Sequence, residues 1–247
     1  NLEALSGTPD GVNFLSFADI RRDGVPDDVD AIINAGDAGT AFSGGREWLD
    51  ADLVTIIRKW VYDGGGFIGI GEPSAILHGG RFFQLADVLG VDRELGFTLS
   101  TAKYHIVPRL AHFITDEHWG AYQLGEGTSD VYALTGSTEI IDYSNDEVHI
   151  AANAYGDGRG VYFSALANDP DNTRLLLRAL YYASHKEDNY YIWNADNINC
   201  EVHAYPESGK YAILNNSDSP QTTDVYDGNG TRETINLEPR EIMWRIM

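Results

Sequence analysis

The residues able to do chemistry gather at two glycine-rich turns. Asp37 follows the β-branched run Val29 to Ala35, and Glu72 follows the apolar run Phe67 to Ile70. Each run reads as a strand of a buried parallel sheet. The two acids would then stand at the ends of neighbouring strands, where paired carboxylates can share general acid and base work. The competing reading is that acids at strand ends and helix N-termini accept backbone N–H groups and do no chemistry. In a chain with 38 acidic residues the second reading is preferred. Asp37 and Glu72 are therefore kept as candidates for substrate binding, and no catalytic residue is assigned.

The loop Gly36 to Gly45 (GDAGTAFSGG) has the glycine content of a phosphate cradle. It lacks the lysine and spacing of a P-loop, and Asp37 would repel an anion. His105, His112 and His118 lie near Asp116 and Glu117, but none has the i, i+4 or short spacing of zinc ligands, so no metal site and no cofactor are expected. Cys200 starts a strand with no histidine beside it and reads as a small buried hydrophobe. Tyr190, Tyr191, Trp193 and Trp244 would suit a sugar groove, but small β-domains rely on aromatics for buried area, and a place in the inter-domain core is preferred. The acceptor patterns at Asn215 and Asn229 read as turns.

The elements that must position these residues follow from periodicity. Gly64 to Ala75 (GGGFIGIGEPSA) is a buried strand ending in a sharp turn, the place where open α/β sheets bind ligands. A strand-to-helix elbow presents one side chain there, and the residue presented is Gly71, which is no nucleophile. Asp50 caps a helix whose Leu53, Ile57, Trp60 and Val61 share one face. Arg81 to Leu89 reads as a second amphipathic helix. Val91 to about Gly127 is irregular. Val131 to Leu134, Glu139 to Tyr143 and Val148 to Tyr155 read as strands, and the last turns through GDGRG into Val161 to Leu166 as a hairpin. Asp171 to Ala183 is a closing helix. Beyond it, EVHAY, KYAILNN, QTTDVYD, TRETINL and EIMWRI are short strands between turn signals, an antiparallel β-domain. The expected division is an α/β domain over 1–187 and a β-domain over 188–247.

Composition narrows the function classes. The 247 residues are 43% hydrophobic, enough for a sizeable core. Seventeen basic against 38 acidic residues leave a net charge of -21, which repels nucleic acid and anionic membranes. One cysteine excludes an internal disulfide and favours a reducing compartment, so a cytoplasmic location is expected. No apolar run reaches the length of a membrane span.

The blocks VDAIINAGDAGTAFSGG, GGGFIGIGEPSA, RFFQLADVLGVDRELGF and NAYGDGRGVYFSAL, followed by the β-rich tail, resemble the middle and C-terminal domains of the lacto-N-biose/galacto-N-biose phosphorylases (1,3-β-galactosyl-N-acetylhexosamine phosphorylases). The resemblance implies a flavodoxin-like or class I amidotransferase-like parallel sheet domain followed by a small β-domain. It implies a parent enzyme whose (β/α)8 barrel, absent here, carries the catalytic acid and the phosphate site. That parent, a homodimer, would phosphorolyse the disaccharide to α-galactose 1-phosphate and N-acetylhexosamine, with this part supporting the barrel and the dimer. Against the class I amidotransferases, Gly71 stands in place of the cysteine and Ala167-Asn168-Asp169 in place of the histidine, so that activity is not expected. The rival readings are a self-standing carbohydrate-binding or oligomerisation module, and a carboxylate-pair hydrolase through Asp37 and Glu72.

The opening NLEALSG reads as a helix end, so the natural N-terminus is expected upstream. Val12 to Phe17 and Val29 to Ala35 are expected as strands flanking a central strand from that upstream segment.

Overall fold

A computed structural model describes residues 11–96, 111–117, 120–145 and 147–247. The chain forms two compact units, Phe14–Ala167 with Tyr182–His185, and Asn168–Tyr181 with Lys186–Met247.

The first unit is built on a five-stranded sheet of order β1-β2-β9-β8-β7, comprising β1 (Ala31–Gly36), β2 (Gly66–Gly71), β9 (Gly158–Phe163), β8 (Glu147–Tyr155) and β7 (Glu139–Ser144). β1, β2 and β9 run parallel, whereas β8 and β7 pair antiparallel, so the sheet is mixed and not the parallel sheet expected. The cause is the short turn between Tyr155 and Gly158: two residues, with Gly156 at φ 62°, can only return the chain antiparallel.

Two helices precede the elbow. In α1 (Phe17–Asp23) Ser16 accepts the Asp19 N–H at 3.1 Å, and in α2 (Ala51–Tyr62) Asp50 accepts from Asp52 and Leu53. Helix α2 buries Leu53, Ile57 and Val61 of the expected stripe together with Val54, and leaves Trp60 half-buried.

Val12 to Phe17 is not a strand. Residues 11–16 are irregular, with Phe14 83% exposed, and Phe17 already begins α1. Apolar composition alone does not hold a strand, which needs a ladder partner, and no partner pairs with this stretch among the described residues. β1 is consequently the end strand of its sheet, with only β2 beside it among the described residues.

Arg81 to Leu89 is also not one helix. It splits into β4 (Arg81–Phe83), which pairs with β3 (Ala75–His78), and the short α3 (Ala86–Leu89), closed by Gly90 at φ 72°. The reason lies outside the segment. Asp92, at the centre of β5 (Val91–Arg93), accepts the Phe82 and Phe83 N–H groups at 3.2 and 2.9 Å and holds that backbone extended. Burial raises the Asp92 pKa above the usual carboxylate value, against the opposing pull of these amides. β5 pairs with β6 (Val131–Ala133) in a separate two-stranded sheet.

The second unit contains most of α4 (Pro170–Ala183) and two three-stranded antiparallel sheets. One is β10 (Asn194–Ala195), β13 (Gln221–Tyr226) and β14 (Arg232–Leu237); the other is β11 (Cys200–Tyr205), β12 (Lys210–Asn215) and β15 (Ile242–Ile246). The five strands read from the tail are all present. Cys200, Val202, Tyr211, Ile213, Val225, Ile235 and Leu237 form their shared core.

Candidate functional site

Gly71 closes β2 at φ 77°, a conformation that resists a side chain, and a Cβ there would come within 3.3 Å of the Gly36 carbonyl. The elbow is real. What it positions is Glu72: its N–H donates to the Gly36 carbonyl at 3.0 Å, and its Oε2 accepts the Ala38 N–H at 2.7 Å. Its Oε1 pairs with Arg93, whose guanidinium also lies 5.0 Å from the centre of the Phe82 ring. Under the elbow, the Tyr162 hydroxyl donates to the Gly71 carbonyl at 3.2 Å, and burial pushes its pKa well up.

Asp37 and Glu72 do follow the ends of the adjacent strands β1 and β2. The carboxylate of Glu72 is committed to an amide and a guanidinium and clasps the two loops together. Asp37 is exposed, and its backbone carbonyl accepts the Thr40 and Ser43 hydroxyls, each at 2.7 Å.

The phosphate-cradle reading fails for a related reason: the loop spends its own donors. Ala38 N–H goes to Glu72, Thr40 N–H to the Asp37 carbonyl at 3.2 Å and Gly44 N–H to the Thr40 carbonyl at 3.1 Å. Amides paired in this way do not converge on an anion.

Of the three histidines, His105 and His118 lie outside the described residues. His112 is buried; its Nδ1 accepts the Ile114 N–H at 3.1 Å, and its Nε2 is 3.4 Å from Glu139. Those contacts make it a local brace. Among the described residues, no three His, Cys, Asp or Glu side chains are placed to hold a metal ion. Cys200 is buried, and desolvation pushes its thiol up to about 11, so little thiolate exists at neutral pH. Tyr190 and Trp193 pack inside the second unit, with Trp193 5.0 Å from Tyr211 between ring centres, while Tyr191 and Trp244 are exposed, contrary to the core role expected of them.

Sequence reasoning missed two features. Arg93 sits 21 residues from Glu72, and only the fold joins them. The second is a hydrogen-bonded chain beside the end of β9: His149 Nε2 lies 2.9 Å from Ser144 Oγ, and its Nδ1 lies 3.3 Å from Ser164 Oγ. Its sequence signal was His149 standing alone between the buried Val148 and Ile150 of β8.

Among the amidotransferase positions, Ala167 N–H donates to the Leu124 carbonyl at 2.7 Å, and Asp169 caps α4 by accepting the Asn172 N–H at 2.8 Å.

Similar folds occur in solved β-galactosidases. A catalytic mutant of a GH42 β-galactosidase from G. stearothermophilus aligns with 88% of this chain and 31% of its own, at TM-score 0.50 and 13% identity. The enzyme from Rahnella sp. R3 aligns with 89% of this chain and 33% of its own, at TM-score 0.50 and 14% identity. These likenesses concern the fold.

Family and sequence are more specific. Residues 1–188 match the lacto-N-biose phosphorylase central domain and residues 193–245 its C-terminal domain, so the chain belongs to the lacto-N-biose phosphorylase family. A 1,3-β-galactosyl-N-acetylhexosamine phosphorylase of Lachnoclostridium phytofermentans is 43% identical over 98% of this chain and 34% of its own length. The Bifidobacterium longum subsp. longum enzyme of the same name is 41% identical over 99% of this chain and 37% of its own. A D-galactosyl-β-1→4-L-rhamnose phosphorylase of L. phytofermentans is 30% identical over 90% of this chain. The chain thus spans about a third of the length of these relatives.

Proposed function

We propose that this chain is the non-catalytic central and C-terminal part of a 1,3-β-galactosyl-N-acetylhexosamine phosphorylase, with domains at 1–187 and 188–247. The parent transfers the galactosyl group of lacto-N-biose or galacto-N-biose to inorganic phosphate, giving α-galactose 1-phosphate and N-acetylhexosamine. The chain supports a (β/α)8 barrel of the same enzyme and its homodimer, in the cytoplasm; no helix among the described residues is long and apolar enough to cross a membrane.

The observation that carries this reading is the state of the elbow. Gly71 ends β2 where the resemblance to the amidotransferases would put a nucleophile, and the Glu72 carboxylate is held by Ala38 and Arg93. Incubated with lacto-N-biose and phosphate, the 247-residue chain is expected to release no galactose 1-phosphate above a protein-free blank; steady release would overturn the proposal.

The open side of β1 supports a related reading. Ile32 and Ile33 are only half-buried, although parallel strands are normally covered on both faces and paired on both edges. We infer that a strand from another part of the parent pairs with the open side of β1. The β1 amides that point away from β2 are expected to exchange with solvent rapidly in this chain and slowly in the parent. Equal protection in both would contradict the inference.

A further inference from the structure

The two edges of the β11-β12-β15 sheet are finished differently. The β11 edge carries Glu201 and His203, hydrogen-bonded to each other at 2.7 Å, and the β14 edge of the neighbouring sheet carries Arg232 and Glu233. Charges of this kind blunt an edge against pairing with another chain. On β15 the one charged residue, Arg245, is taken up by Glu233 of β14 at 4.0 Å, and Ile242, Trp244 and Ile246 are 55, 57 and 82% exposed. Tyr205, 44% exposed, extends the strip, its ring centre 5.6 Å from that of Trp244.

The backbone of β15 is open at the same residues. Asn215 N–H donates to the Glu241 carbonyl at 3.0 Å and Met247 N–H to the Gly209 carbonyl at 3.1 Å, which turns the odd-numbered backbone groups of β15 toward β12. Alternation along an antiparallel strand then directs the N–H and C=O groups of Ile242, Trp244 and Ile246 to the open side.

We propose that β15 pairs antiparallel with β15 of a second copy across a two-fold axis at Trp244. This deepens the homodimer reading above and rests on it. The strand is self-complementary in that register: Trp244 faces Trp244 of the second copy, and Ile242 faces Ile246 of the second copy in both directions, as an isologous interface requires. Each of these pairs exchanges backbone hydrogen bonds, so the two sheets become one six-stranded sheet.

Charge favours the same occupant. Two copies of a chain with net charge -21 repel one another except where acids are missing, and β12 (KYAILN) and β15 (IMWRI) contain none, only Lys210 and Arg245. The strip is narrow, below the roughly 800 Å² per partner of a standard interface, so a concentration-dependent dimer is expected.

Sedimentation equilibrium of the full chain tests this. The wild type should dimerise reversibly. Trp244→Asp and Ile246→Lys should each weaken the dimer by roughly 30-fold or more, the loss expected for a central interface residue, while thermal melting at monomeric concentrations stays unchanged. Glu201→Gln, on the guarded β11 edge, should leave association as it was. A dimer that survives both β15 substitutions would keep the homodimer reading and overturn this interface. A chain that is monomeric at every concentration would overturn both.

Discussion

Replacing Gly160 by alanine is expected to destabilise the first unit by about 3 kcal/mol, the upper part of the usual overpacking range. Gly160 lies in β9 beneath α3, and a Cβ there would sit 2.1 Å from the Val88 carbonyl oxygen. That oxygen is backbone and cannot rotate aside. It also accepts the Asn153 side-chain N–H at 3.1 Å, which ties α3 to β8, so moving α3 away would break that tie as well. Gly158, two residues earlier on the same face, meets the Val61 carbonyl at 1.9 Å, and the same argument applies to α2. Calorimetry of Gly160→Ala should show the transition of this unit lowered by roughly 6–12 °C. A shift within 1–2 °C would show that the helices are not seated so closely.

Arg174→Ala is expected to cost the second unit about 3 kcal/mol, because it strands several buried acceptors at once. The Arg174 side chain is 9% exposed. Its Nη1 donates to Asn194 Oδ1 at 2.8 Å and Tyr190 Oη at 3.3 Å, and its Nη2 donates to the carbonyls of Ala195, Asn197 at 3.2 Å and Cys200 at 3.5 Å. One guanidinium thus gathers the chain from Tyr190 to Cys200 onto α4 within this unit. Arg174→Lys, which keeps the charge but loses the planar fork, should recover less than half of the loss. The check is urea unfolding followed by the fluorescence of Trp193, which packs into this core. A midpoint unchanged in Arg174→Ala would refute the role given to it.

Arg174 also shows where a sequence stops speaking. The helix over 170–183 was legible from its apolar spacing, as was the Asp50 cap of α2, because both signals are local. The strand Gly66–Gly71 and the hairpin through Gly156 were legible for the same reason, and the five tail strands were marked by their turns. What failed depended on distant partners. Val12 to Phe17 has strand composition but no ladder, and Phe82 and Phe83 are held extended by Asp92, which helical spacing could not reveal. At the elbow, sequence placed Gly71 and Glu72 correctly at the end of β2. The pairing of Glu72 with Arg93 appears only once β5 is folded beside it.

The most direct measurement is reconstitution. This chain would be joined to the remaining two-thirds of the L. phytofermentans relative in place of that relative's matching segment, which spans 34% of its length. Phosphorolysis of lacto-N-biose would then be followed as galactose 1-phosphate release by the chimera and by the chain alone. The account predicts turnover by the chimera and none by the chain. Turnover by the chain alone, or a folded chimera that is inactive while the intact relative works, would contradict it.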